Sequence, residues 1–380
     1  MGNMRPLPTA SSRTTTTRAW CAHCGMGLAA PPGSSSSVRC ALCHRVTTRI
    51  IGRQRGVGDS GMTTTTVAVA SPSPPPRAPP PLSVQREIPA SYPKICGKKR
   101  ALLVGVSYTG TAYELKGTVN DVAEMRRLLV DMFGFPSSCI LELTEKQSDP
   151  TRLPTRENLL LAMRWLTEGC TAGDSLVFQF AGHGVQRVDM KDDEVDGYDE
   201  ALCPVDFERD GNVVDDEIND TIVRPLGTGV KLHAIMDTCH SGTSLDLPYL
   251  CRMSRTGYWQ WEDHCRHGGP GKRPNGGLVI SISSCRDDQK SADTSAFAES
   301  ASIGAMMDSF IQAVEAEPGT TYGRLLGAMR ARIRDGHGSC RIPGRFGSYV
   351  RRKMTPSSSV QEPQLCSSEM FDIYRKPFLL

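Results

Sequence analysis

Beyond residue 97 the chain alternates short apolar runs with stretches whose apolar residues recur at helical spacing, and this alternation restricts the possible folds more than any other feature. The run R-A-L-L-V-G-V-S, starting at Arg100, reads as a strand buried on both faces. V-N-D-V-A-E-M-R-R-L-L-V-D-M-F, starting at Val119, reads as the helix that follows it. Ser138 to Leu143 is a second strand, and Thr155 caps a helix reaching about Thr167, with Asn158 where a Glu or Gln would complete a capping box. Further strands are expected at Asp174 to Ala181, Lys231 to Asp237 and Gly277 to Ser284, with helices near 303–316 and 321–334. Strands that alternate with helices need crossover connections, so the fold class is α/β, a mostly parallel sheet flanked by helices on both faces.

The first 97 residues have a different texture. Cys21, Cys24, Cys40 and Cys43 form C-x2-C-x15-C-x2-C, four thiolates in two knuckles, the closed tetrahedral set that structural zinc prefers. Zn2+ held this way leaves no open ligand position, so it would fold residues 20–51 into a small zinc ribbon and take no part in catalysis. Residues 1–19 read as a disordered arm. Residues 52–97, with a T-T-T-T tract and S-P-S-P-P-P-R-A-P-P-P, lack the apolar surface to order themselves and read as an extended linker. The two domains are then loosely coupled.

Charge separates the same two parts. Residues 1–97 hold eleven Lys/Arg and two Asp/Glu, a net of +9, so the overall +3 leaves −6 on residues 98–380. An acidic body with a concave site favours cationic ligands. Of the fourteen cysteines four are assigned to the metal, and no apolar signal region opens the chain, which fits a reducing, cytoplasmic setting with the nucleus as a further candidate. No run approaches eighteen apolar residues, so no transmembrane helix is expected. The ribbon is flanked by Arg39, Arg45, Arg49, Arg53 and Arg55, but the lack of aromatic stacking residues beyond Trp20 argues against nucleic acid and for docking of regulatory proteins.

Two glycine-flanked segments stand at the ends of expected strands: F-Q-F-A-G-His183-G and I-M-D-T-Cys239-H-S-G. In an open parallel sheet ligands bind outside the carboxyl ends of the strands, where both segments emerge. A thiol attacks only as thiolate and needs an imidazole beside it, so His183 and Cys239 form a candidate catalytic dyad. His240 competes for the base role but adjoins the thiol in sequence. Taken alone, Cys239 would be an inert buried thiol and Gly-His-Gly a turn. Residues 189–220 hold fourteen acids against two bases, a density that calls for solvent or for a hard cation such as Ca2+.

These motifs resemble those of plant type I metacaspases. The resemblance is carried by A-L-L-V-G-V-S-Y, Y-E-L-K-G-T-V-N-D-V, G-D-S-L-V-F-Q-F-A-G-H-G, D-E-V-D-G-Y-D-E-A-L-C-P-V-D-F, A-I-M-D-T-C-H-S-G-T-S-L-D-L-P-Y and Q-E-P-Q-L-C-S-S-E-M-F-D-I-Y-R-K-P-F, spanning about residues 98 to 380. The N-terminal segment resembles the lesion-simulating-disease type finger of such chains. The resemblance implies a caspase-like domain, calcium-activated cleavage of proteins after Arg or Lys, a role in programmed cell death or stress response, and a monomeric state. It places the pocket for the basic side chain on Asp121 and Asp237, with Ala181 where the family usually has Ser, and calcium on Asp199, Asp215, Asp216 and Asp246, with Asp196 as a substitute for Asp199. Thr118 and Thr238 also depart from the family's usual Cys and Ser.

Within the domain, about 98–247 corresponds to a large subunit and 277–380 to a small one. Residues 248–276 read as a cleavable loop, with Arg252, Arg255, Lys272 and Arg273 as sites for calcium-triggered self-cleavage. The competing function is a zinc-finger interaction or scaffold protein whose peptidase domain is inactive or regulatory.

Overall fold

Two short antiparallel ladders mark the cysteine-bearing segment: β1 (Ala19–Trp20) pairs with β2 (Gly27–Leu28), and β3 (Val38–Arg39) with β4 (Val46–Thr47). Each ladder brackets one C-x2-C pair along the chain, but Cys21, Cys24, Cys40 and Cys43 lie outside the described residues. The structure, a computed structural model, describes these strands and residues 87–95, 97–188, 198–238, 244–254, 257–264, 272–286, 304–336 and 361–380. The chain divides into two units, 1–85 and 86–380.

In the second unit the strands are β5 (Lys99–Gly105), β6 (Ile140–Thr144), β7 (Ser175–Ala181), β8 (Gly184–Val188), β9 (Tyr198–Leu202), β10 (Val213–Val214), β11 (Lys231–Asp237), β12 (Tyr249–Met253), β13 (Trp259–Asp263), β14 (Leu278–Arg286) and β15 (Gln361–Ser367). The helices are α1 (Thr118–Asp131), α2 (Arg156–Thr167), α3 (Phe207–Asp210), α4 (Asp215–Ile218), α5 (Ala305–Ala316) and α6 (Tyr322–Gly336). Eight strands form one sheet in the order β13-β12-β15-β14-β11-β7-β5-β6. The five from β14 to β6 are parallel, and β15, β12 and β13 add an antiparallel edge.

The five apolar runs expected as strands are these five parallel strands. Because side chains alternate across a strand, each run feeds two cores. Leu102, Val104, Phe178, Phe180, Leu232 and Met236 pack with Leu159 and Trp165 of α2 on one face. Leu103, Val177, Ile235 and Ile280 pack with Leu128 of α1, Phe310 of α5 and Leu325 of α6 on the other. Thr155 caps α2 as expected, its side chain accepting from Asn158 N at 3.3 Å. Asn158 does not complete a capping box, because its amide donates to Pro150 O and Leu153 O at 2.8 and 2.9 Å.

Two expectations need correction. The stretch read as the end of the linker belongs in part to the folded unit: Tyr92 is buried and donates to Thr151 O at 3.0 Å, and Pro93 O accepts from Trp165 Nε1 at 2.7 Å. The buried Tyr92 ring and the Trp165–Pro93 bond anchor residues 87–95, whose composition reads as the tail of a linker. The stretch read as a cleavable loop contains the hairpin β12–β13. Its Gly, Pro and basic residues masked W-Q-W, an alternation that turns Trp259 and Trp261 onto the second core.

Candidate active site

Three parallel strands end in register: Gly105 of β5, Ala181 of β7 and Asp237 of β11 are cross-strand partners. The ladder continues past them, with Val106 N donating to Ala181 O at 2.9 Å and Gly182 N to Asp237 O at 3.3 Å. His183 follows Ala181 by two residues, as Cys239 follows Asp237 in the sequence. Thus the base and nucleophile segments start from neighbouring strands about 4.8 Å apart. The described chain on β11 runs to Thr238; Cys239 and His240 lie outside the described residues.

His183 is 2% exposed and is held by Tyr108. The Tyr108 hydroxyl donates to Cys203 O at 2.6 Å and accepts from His183 N at 3.0 Å, and its ring lies 4.9 Å from the imidazole, centroid to centroid. Tyr108 has a left-handed backbone, φ 50°, which is strained for a residue with a Cβ. The Glu145 carboxylate holds that turn by accepting from Tyr108 N and Thr109 N, both at 2.9 Å, and from Ser107 N. His183 Nε2 lies 2.9 Å from Tyr113 O. A carbonyl only accepts, so Nε2 carries the proton and the basic lone pair sits on Nδ1. Burial lowers the imidazole pKa, and the Tyr113 carbonyl opposes this in part, so the ring is neutral at pH 7.

Two carboxylates stand at these strand ends, Asp237 on β11 and Asp121 on α1. Asp237 is buried and accepts from Gly304 N at 2.9 Å and Met307 N at 3.2 Å, so it caps α5 from a neighbouring strand. Burial raises it to about 6 against those hydrogen bonds. Asp121, in the first turn of α1, is raised to about 7 by burial first, then by Asp237 and Asp308. Among the described residues Asp121 Oδ2 is buried with no hydrogen-bond partner. Gly304 links the two, since a Cβ added there would lie 3.9 Å from Asp121 Oδ1. Ala181 is buried and brings no hydroxyl.

The acidic segment is arranged differently. Asp199 lies on β9 opposite Arg187. Asp215 is buried and accepts from Glu200 N and Asp216 N, both at 2.8 Å. Asp246 and Asp216 converge on one cation: Lys272 Nζ lies 2.5 Å from Asp246 Oδ2 and 3.7 Å from Asp216 Oδ1. Among the described residues no three metal-ligating side chains are gathered at one point. The donors are hard oxygens suited to calcium, and two of them already share a positive charge. Of the cleavage candidates, Arg252 lies within β12 and pairs with Glu262 at 2.9 Å, whereas Arg255 falls outside the described residues.

Sequence reasoning passed over Tyr108, Tyr113 and Glu145. The available signal for the first was its place closing A-L-L-V-G-V-S-Y, at the mouth of a buried strand. Tyr113 contributes only a carbonyl, which leaves no mark on residue type.

A family model described as metacaspase, peptidase C14 domain, matches residues 99–248. The chain is 47% identical to Metacaspase-1 of Arabidopsis thaliana over 374 residues, 95% of each chain. It is 49% identical to Metacaspase-2 of the same plant, over 76% of this chain and 74% of that one. A Geobacter sulfurreducens protein of known crystal structure aligns with 75% of this chain and 99% of its own, at a TM-score of 0.44 and 20% identity. With nearly its whole length shared at such identity, the chain belongs to the metacaspases, cysteine-type endopeptidases of the C14 group.

Proposed function

We propose that this metacaspase is a calcium-dependent endopeptidase cleaving after Arg or Lys, with His183 as general base, Cys239 as nucleophile and Asp121 with Asp237 receiving the basic side chain. The observation that carries the specificity is the buried Asp121 Oδ2, unpartnered among the described residues, beside a second raised carboxylate. A buried carboxylate oxygen without a partner is costly, and a guanidinium or ammonium from the substrate satisfies both acids at once. With alanine at 181 the pocket's polarity rests on these acids.

In the reaction His183 Nδ1 takes the Cys239 thiol proton and the thiolate attacks the scissile carbonyl carbon, placing the electron pair on the carbonyl oxygen. Collapse of this tetrahedral species expels the amine, which takes the proton back from His183 and leaves a thioester. Water, deprotonated by the same nitrogen, then releases the acid and regenerates the thiol. The Tyr113 carbonyl holds the ring on Nε2 throughout, so that Nδ1 shuttles the proton.

Calcium would be held by Asp199, Asp215, Asp216 and Asp246, where it supplies the positive charge that this acid-rich segment lacks. Zn2+ on Cys21, Cys24, Cys40 and Cys43 would fold the N-terminal ribbon as a docking element for regulatory proteins. Self-cleavage within 248–276 and a part in cell death or stress response, in a cytoplasmic and nuclear monomer, complete the proposal.

The test is hydrolysis of a peptide with Arg before the scissile bond, with and without calcium, against Cys239→Ala. Turnover is expected only with calcium and an intact Cys239. A folded wild type without such turnover would favour the scaffold reading.

A further inference from the structure

Lys272 sits where a calcium ion would be wanted. Its ammonium bridges Asp246 and Asp216, with side chains only 20% and 11% exposed for Lys272 and Asp246. Its backbone is moored too: Asn219 Nδ2 donates to Lys272 O at 3.1 Å, Leu245 O at 2.9 Å and Asp246 O at 3.3 Å. Asn219 is buried, and among the described residues its Oδ1 has no hydrogen-bond partner. Next along, Arg273 donates to the Tyr249 hydroxyl at 2.8 Å and lies over its ring. Residues 272 and 273 are thus docked, whereas a protease needs an extended, detached segment.

We propose that Lys272 is a built-in competitor for calcium: the ion displaces its ammonium from Asp216 and Asp246, and the displacement frees the segment for cutting after Lys272. The proposal rests on the calcium reading above and deepens it. One ammonium and one divalent ion cannot share the same two carboxylates, so binding of either weakens the other by the same factor. A doubly charged hard ion wins at saturation because it draws both acids into one oxygen shell. Of the described candidates Lys272 is also the most suited to cutting. Arg252 is locked in β12, and Arg273 precedes Pro274, whose ring restricts the backbone at that bond.

The test uses full-length protein carrying Cys239→Ala, so that nothing cleaves itself. Calcium binding is measured by calorimetry on this parent and on Lys272→Met. Loss of the competitor should tighten binding about 5- to 150-fold, the usual range for coupled sites, while Lys272→Arg stays near the parent. Limited trypsin digestion of the parent should cut after Lys272 only once calcium is added. Equal affinity of parent and Lys272→Met, or a trypsin cut indifferent to calcium in a calcium-binding parent, overturns the exchange and leaves the calcium reading intact. Absence of binding in both proteins overturns the calcium reading and the exchange together.

Discussion

At Asp121 and Asp237 burial raises the carboxyl pKa values to about 7 and about 6, so folding takes up protons that the unfolded chain, with ordinary carboxylates, has already released. The sign follows: the stability these groups contribute is full below about pH 4 and is lost as pH rises through 6 to 7. Asp121→Asn should therefore raise Tm at pH 8, by roughly 2–4 °C for each kcal/mol of relieved strain. It should also raise KM for peptides with Arg before the scissile bond by about tenfold or more, the scale of one charge-assisted hydrogen bond. Peptides with an uncharged residue there should be spared; a loss equal for both would remove Asp121 from the pocket. The same protonation predicts that kcat/KM for Arg peptides falls below pH 7 more steeply than for neutral ones, measurable as two pH profiles on one preparation. Tyr108→Phe removes the hydroxyl that joins Cys203 O to His183 N. With this buried bridge lost, kcat should drop about tenfold and stability should fall by about 1–3 kcal/mol, read as a lower melting temperature.

β5 runs close against α1. A Cβ on Gly105 would stand 2.6 Å from Thr118 O, inside any allowed contact, and 3.0 Å from Val122 Cγ2. Gly105→Ala must push α1, and Asp121 with it, away from the sheet, at about 1–3 kcal/mol. Thermal denaturation should show the loss, and a Tm unchanged from wild type would contradict the packing. At the sheet's antiparallel edge, β12 is paired on one side by β13 and on the other by β15. Both ladders must open before Arg252 can enter a protease. Peptide mapping of self-cleaved protein is expected to show no cut there, although the exposed Arg252–Glu262 ion pair itself contributes little.

For the whole molecule, the folded body begins well before its first strand. A chain starting at residue 86 keeps Tyr92 and the bond from Trp165 Nε1 to Pro93 O, whereas one starting at 98 exposes a buried aromatic site and orphans the indole. The shorter form should be less stable by about 3 kcal/mol, the scale of losing one buried aromatic side chain, and so melt at a lower temperature; equal melting would show that the segment is only laid on the surface. No helix among the described residues is long and apolar enough to cross a membrane. The sequence by itself determined the five parallel strands, the helices α1, α2, α5 and α6, and the strand ends that precede positions 183 and 239, because apolar periodicity and glycine-flanked motifs are local patterns that the backbone obeys. Only the tertiary structure decided that Tyr108 and a carbonyl from Tyr113 orient the imidazole, that Asp121 and Asp237 meet across Gly304, and that Lys272 lies between two acids. Those contacts join residues tens of positions apart, and nothing in the run of residue types records which distant partner a side chain will meet once the sheet has closed.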